Sequence, residues 1–334
     1  MRLKILFVER KFKEFFSLEK VFRQIADSLP KSEFETAFQQ TGHHNDLVGT
    51  FKNLASFKPK KADIYHITGH ITYIALVMPS RNTVLTIPDL GILYMRTGFR
   101  RSMLKKLLFD WPVAKSRYIT AISQTTKDEV VKYTGCDASK VRVIEIPLDE
   151  NLSAGEKEEF NADCPKILQI GTAPHKNLAN VIKAIHGIKC ELIIIGRLDE
   201  QAIASLKQAN ISYRNEFEVG DDVIRELYRT ADLVVFCSLF EGFGLPIIEA
   251  QAMKTPVVTS DIDPMREVAG GAALLVDPHD PGQIREAIQK VIGDRSVREK
   301  LVAGGLENIK RYHHERVAEK YADLYREIVA NNEL

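Results

Sequence analysis

The chain has 334 residues, 45% of them hydrophobic and 27% charged, with a formal net charge of +1. Disordered and fibrous classes are excluded by that composition, and the length exceeds what a single hydrophobic core serves, so two domains are expected. The neutral total hides an asymmetry: residues 1–150 hold 24 Lys and Arg against 16 Asp and Glu, a balance of +8, and the remainder carries −7. Either the first half faces a negatively charged partner or substrate, or its surface charge has drifted without consequence.

Short apolar runs recur along the chain, each followed by a longer stretch of helical period. They fall at 4–8, 64–67, 83–87, 118–122 and 141–146 in the first half, and at 166–170, 191–195, 233–237, 256–259 and 273–276 in the second. Near-continuous Val/Ile/Leu strands alternating with helices predict parallel sheets covered on both faces. Two such series predict two doubly wound, Rossmann-like α/β domains at 1–148 and 166–314, joined by an acidic linker at 149–165 that contains Gly155 and Pro165. Apolar residues at 317, 318, 321, 324, 325 and 328 predict a last helix over 315–334 with one buried stripe, packing back on the first domain. Ligands of such sheets bind beyond the carboxyl ends of the strands, so a site is expected in a cleft between the domains.

Cys136, Cys164, Cys190 and Cys237 lie far apart without a C-x-x-C spacing, which indicates neither a zinc site nor a disulfide framework. The apolar run at Lys4–Val8 meets Glu9 and Arg10 too soon for a secretory leader, and the longest uncharged stretch, 64–80, is below membrane-spanning length. A cytoplasmic protein is expected, at most peripheral to a membrane.

The segment richest in chemistry runs from Ser238 to Ala250. Gly242 and Gly244 permit a tight turn and close approach of a ligand to the backbone. Pro246 suits a helix start, whose free amides and dipole attract an anion. Glu249, one turn in, can accept sugar hydroxyls of whatever carries that anion; alone it could equally complement the helix dipole, as Glu241 could cap a turn. A second strand-to-helix turn, Gly171-Thr172-Ala173-Pro174-His175-Lys176-Asn177, offers Lys176 to a diphosphate.

Glu241 and Glu249 around Gly-Phe-Gly-Leu-Pro resemble the E-x7-E motif of the retaining glycosyltransferases of family 4, which have the two-domain GT-B fold. The flanks 226–232 and 252–258, with Pro264, Glu267, Gly270 and Asp277-Pro278, continue the likeness through the second half. The resemblance implies a nucleoside diphosphate sugar as donor substrate, with no cofactor and no catalytic metal. It implies Glu249 on the ribose hydroxyls, Glu241 on the transferred sugar, amides of Phe243, Gly244 and Leu245 on the diphosphate or sugar, and Gly171, Thr172, His175, Lys176 and Asn177 around the leaving group. Many members carry an arginine near that lysine; Thr172 and His175 stand here instead.

In the first half the likeness is thinner. Many members read His-Asp after the strand at 83–87, where this chain has Pro88-Asp89, so Asp89 and the nearby His70 are the candidate catalytic groups on the acceptor side, with His66 on the same strand end. The loop 11–17 lacks the paired glycines many members place near donor phosphates. Ser123 resembles a recurring serine of the family and fits equally well as a helix cap. Asp261-Ile262-Asp263 matches a D-x-D string and reads as a loop before Pro264.

Arg96, Arg100, Arg101, Lys105 and Lys106 with Met103, Leu104, Leu107, Leu108 and Trp111 predict a basic amphipathic helix over Arg96–Lys106. It suits an anionic membrane surface or a lipid-phosphate acceptor; the commoner alternative is a stripe packed on its own domain. No nucleic-acid module is present. The expected activity is transfer of a hexose from a donor such as GDP-mannose or UDP-glucose to a glycan or lipid-linked acceptor. A catalytically weak nucleotide-binding protein, or a sugar-nucleotide epimerase, stays open.

Overall fold

The computed structural model describes residues 2–11, 17–94, 97–152 and 157–333. Two compact units result, one comprising Met1–Pro147 with Tyr312–Leu334, the other Leu148–Arg311.

Among the described residues the first unit holds a six-stranded parallel sheet: β1 (Leu3–Glu9), β2 (Phe34–Gln40), β3 (Ile64–Ile67), β4 (Thr83–Ile87), β5 (Tyr118–Ala121) and β6 (Val141–Val143), in the order β2-β1-β3-β4-β5-β6. β3, β4 and β5 are buried along their whole length, as strands covered on both faces must be. The last helix, His314–Glu333, packs on the helix Ser17–Ser28 and belongs to this unit. It sinks Tyr321 and Tyr325 beside His66, whose Nδ1 lies 2.7 Å from the Tyr325 hydroxyl and whose Nε2 lies 2.7 Å from Thr86 Oγ1. Arg326 to Glu33 (2.9 Å) and Arg142 to Glu327 (2.6 Å) tie the same helix down at its rim.

The second unit holds another six-stranded parallel sheet: β7 (Lys166–Ile170), β8 (Glu191–Ile195), β9 (Ser212–Glu216), β10 (Leu233–Phe236), β11 (Val257–Ser260) and β12 (Leu274–Val276), in the order β12-β11-β10-β7-β8-β9. Chain order reverses between β7 and β10, so the connections leaving these neighbours go to opposite faces and open a crevice beyond their carboxyl ends.

Residues 149–165, expected as a linker, are built into this unit where described; Gly155 lies outside the described residues. Leu152 is buried, Asn161 N donates to Asp232 Oδ1 (3.0 Å), and Lys157 Nζ donates to Tyr228 O (3.0 Å), Ala231 O (2.6 Å) and Thr255 Oγ1 (2.6 Å). The ammonium satisfies carbonyls that end the helix Asp221–Thr230, a favourable place for a cation. An acidic, apolar-poor composition does not reveal such docking.

Candidate functional site

The two Gly-containing turns singled out by the sequence leave β7 and β10, and so meet at the switch point of the second sheet. β7 ends at Ile170, and Gly171 follows with φ +87°, its N–H donating to Ile195 O at 2.8 Å. A Cβ there would lie 2.8 Å from Lys176 Cγ. Glycine is therefore required twice, for a left-handed backbone and for the lysine stem lying over it. A short turn, Pro174–Lys176, leads to Asn177 at φ 62°, whose Nδ2 donates to Cys237 O (2.9 Å) and Pro278 O (2.7 Å). Asn177 thereby fastens the β7 turn to the end of β10, and this amide nitrogen is committed to the scaffold.

β10 leads through Ser238–Phe243 to Gly244, at φ +111°, and then to the helix Leu245–Ala252 with Pro246 in its first turn. Gly244 occupies backbone space that L-residues rarely enter, so the turn depends on it. Phe243 is buried and Leu245 partly so. Their backbone amides, with that of Gly244, stand at the start of an eight-residue helix, where the dipole favours an anion.

Lys176 and Glu241 are brought together: Nζ lies 2.6 Å from Oε1, with the side chains 20% and 14% exposed. Nζ also stands 5.0 Å over the Phe236 ring. His175 lies beside them, its carbonyl accepting from Leu239 N at 2.7 Å; burial first, then the Lys176 charge, depresses its imidazole pKa. Thr172 Oγ1 donates to Arg197 O at 2.6 Å, so its hydroxyl proton is spent on the loop after β8. Glu249 is half-buried in the helix and receives the Tyr228 hydroxyl at 2.5 Å. Burial, with the Asp149 charge, pushes its carboxyl pKa up, while the Tyr228 bond and then Lys176 pull against that rise. In the sequence Tyr228 belongs to the flank 226–232 that continues the family likeness, and nothing there assigns it a partner or a role.

In the first unit the structure brings His70 and Asp89 together beyond the ends of β3 and β4, with His70 Nε2 3.7 Å from Asp89 Oδ2. Asp89 Oδ1 accepts from Gly91 N at 2.7 Å. The expectation that His66 reaches a site is corrected: it is fully buried, both ring nitrogens are engaged in the core, and burial pulls its pKa to about 3. Ser123 caps the helix Gln124–Thr134, its Oγ accepting from Thr126 N at 3.1 Å. Pro88 offers its carbonyl to Thr126 Oγ1 at 3.2 Å. Most of the loop 11–17 lies outside the described residues.

Asp261 and Asp263 both face Arg266, at 2.6 and 3.3 Å. The D-x-D string is thus an ion-paired loop. Among the described residues no group of three or more His, Cys, Asp or Glu side chains could hold a metal ion.

The basic helix is shorter than expected, Gly98–Lys105, followed by a wider turn, Lys106–Asp110, and a short helix, Trp111–Lys115; Arg96 lies outside the described residues. Leu107 and Phe109 enter the core, whereas Phe99 is 83% exposed and Trp111 54%. The stripe is therefore split between core and surface. No helix among the described residues is long and apolar enough to cross a membrane.

Residues 153–307 match the family described as glycosyl transferases group 1. The chain is 30% identical over 221 residues to the O-antigen chain mannosyltransferase RfbU of Salmonella typhimurium, a match covering 63% of this chain and 61% of that one. The chain thus matches less than two thirds of that relative's length. Over 98% of its own length it superposes on all of HepE from Anabaena, solved with UDP and glucose, with a TM-score of 0.78 at 16% identity. Over 99% it superposes on all of the sucrose-phosphate synthase of Thermosynechococcus elongatus, with a TM-score of 0.77 at 17% identity. The fold is GT-B.

Proposed function

We propose that the chain is a member of the glycosyl transferases group 1 family, whose model matches residues 153–307, and that it is a retaining glycosyltransferase of family 4. It moves a hexose from a nucleoside diphosphate sugar, such as GDP-mannose or UDP-glucose, to a glycan or lipid-linked acceptor. The observation that carries this reading is the convergence at one switch point of a lysine–glutamate pair, a glycine-started helix and a second, tyrosine-held glutamate.

Each part has a task in that chemistry. The diphosphate lies against the amides of Phe243, Gly244 and Leu245, and Lys176 neutralises the charge that grows on it as the sugar–phosphate bond breaks. Glu241, already held by Lys176, accepts hydroxyls of the transferred sugar. Glu249 takes the ribose diol. The acceptor hydroxyl attacks from the face the diphosphate leaves, and its proton passes to a leaving phosphate oxygen, so configuration is retained without a metal. Gly171 and Asn177 shape the turn, while Thr172 and His175 line it. His70 and Asp89 are assigned to the acceptor, which fits the positive balance of residues 1–150.

The names of relatives support a hexose and a cell-surface glycan, since RfbU is an O-antigen mannosyltransferase. Exposed Phe99 and Trp111 beside Arg100, Arg101 and Lys106 support a cytoplasmic enzyme resting on an anionic membrane surface. Nucleotide release from a panel of nucleotide sugars, with and without glycan and lipid-phosphate acceptors, tests the reading. Release that depends on an acceptor is expected. Donor conversion without acceptor would favour an epimerase instead, and nucleotide binding without any turnover a non-catalytic protein.

A further inference from the structure

Tyr228 is 1% exposed, and its hydroxyl donates to Glu249 Oε2 at 2.5 Å. It sits in the last turn of the helix Asp221–Thr230, and its backbone is held apart from that bond. The Tyr228 carbonyl accepts from Lys157 Nζ at 3.0 Å and from Thr255 Oγ1 at 3.2 Å. Thr255 N in turn donates to Ala250 O at 2.9 Å, in the helix that carries Glu249. The tyrosine is therefore braced against the same helix whose carboxylate it touches.

A glutamate side chain has three rotatable bonds, and a ribose diol accepts only one disposition of its carboxylate. With Oε2 fixed by the phenol, Oε1 and the second lone pair of Oε2 remain for two hydroxyl protons. We propose that Tyr228 is a positioning residue for the nucleotide donor, holding the Glu249 carboxylate in the orientation that takes the ribose hydroxyls. This rests on the assignment of Glu249 to the ribose made above. The bond has a second effect: burial and the nearby Asp149 charge raise the Glu249 pKa, while the Tyr228 hydroxyl, and after it the Lys176 charge, lower it, so the bond extends the ionised, acceptor-only form to lower pH.

The test is calorimetric binding of UDP and GDP, and of their 2′-deoxy counterparts, to the wild type, Tyr228→Phe, Glu249→Gln and the double variant. For the tighter-binding base, the wild type is expected to prefer the ribonucleotide by about tenfold, the worth of one hydrogen bond to a charged group. Tyr228→Phe should reduce that preference to about threefold or less. It should leave the 2′-deoxy nucleotide within about twofold, and move the acid limb of ribonucleotide binding to higher pH. In the Glu249→Gln background Tyr228→Phe should change the preference no further. A tyrosine that merely supports the fold would weaken both nucleotides alike with the preference and the acid limb unchanged, and that result overturns the inference. If Glu249→Gln removes the preference and Tyr228→Phe keeps it, the inference falls and the ribose assignment stands. If Glu249→Gln keeps the wild-type preference, or the wild type has none, both fall. Should Tyr228→Phe fail to fold, Thr255→Val, which loosens the brace and keeps the phenol, should show the same selective loss in smaller measure; an unchanged preference there refutes the role.

Discussion

Replacing Lys176 by Met separates the charge of this side chain from its packing. The methionine stem can still cover Gly171, whose notional Cβ would lie 2.8 to 3.1 Å from the lysine methylenes. What goes is one ammonium, 2.6 Å from Glu241 and under a third exposed. A charge-assisted hydrogen bond of that kind contributes about 1.5–3 kcal/mol, so the folded state should lose about that much, with Glu241 left half-buried and unpaired. The effect on turnover should be larger. An electrostatic stabiliser of a departing anion is worth about 2.7–4 kcal/mol in the transition state, or a roughly 10²- to 10³-fold loss of kcat. Denaturant unfolding and acceptor-dependent nucleotide release measure the two terms. Lys176→Met/Glu241→Gln should recover part of the stability, because no unpaired charge remains, but none of the rate. Turnover of Lys176→Met within about threefold of wild type, under 1 kcal/mol of transition-state energy, would refute the leaving-group role.

Gly171→Ala forces a side chain into φ +87° and against the lysine stem; it should cost about 1–3 kcal/mol and raise the donor KM, read by thermal unfolding and steady-state kinetics. His66 is held neutral in the fold with a pKa of about 3, below its ordinary 6.5. The unfolded chain therefore binds a proton that the folded one does not between those values, and stability should fall with pH below about 6.5 by up to roughly 1.4 kcal/mol per unit. His66→Gln should flatten that slope in urea unfolding followed from pH 7 to 4.5; an unchanged slope would show the acid sensitivity lies elsewhere. Trp111 is the single tryptophan of the chain and half exposed, so its emission reports directly on the basic face. Anionic vesicles should shift it to the blue in a salt-sensitive way that Arg100→Glu/Arg101→Glu weakens, and neutral vesicles should not.

The strands read from apolar runs all lie where continuous Val/Ile/Leu sequence predicts them. The two that escape notice, β2 (Phe-Glu-Thr-Ala-Phe-Gln-Gln) and β9 (Ser-Tyr-Arg-Asn-Glu), are edge strands. Each has one neighbour and a partly exposed face, so its composition is polar and its pattern weak. The glycine turns and both glutamates are local features and legible as such. The Lys176–Glu241 pair spans 65 residues and the Tyr228–Glu249 bond 21, joined only by sheet order. No spacing rule reveals them. Buried His66 misleads for the same reason: its partner Tyr325 lies 259 residues away.

The anomeric configuration of the transferred sugar tests the assignment most directly. Wild-type protein incubated with the accepted nucleotide sugar and an acceptor, with the product followed by NMR, should yield a glycoside of the donor's own anomeric configuration. One nucleoside diphosphate should be released per bond formed, and Glu249→Gln should lose most of that flux. An inverted anomer, or no nucleotide sugar consumed across the panel, would contradict it.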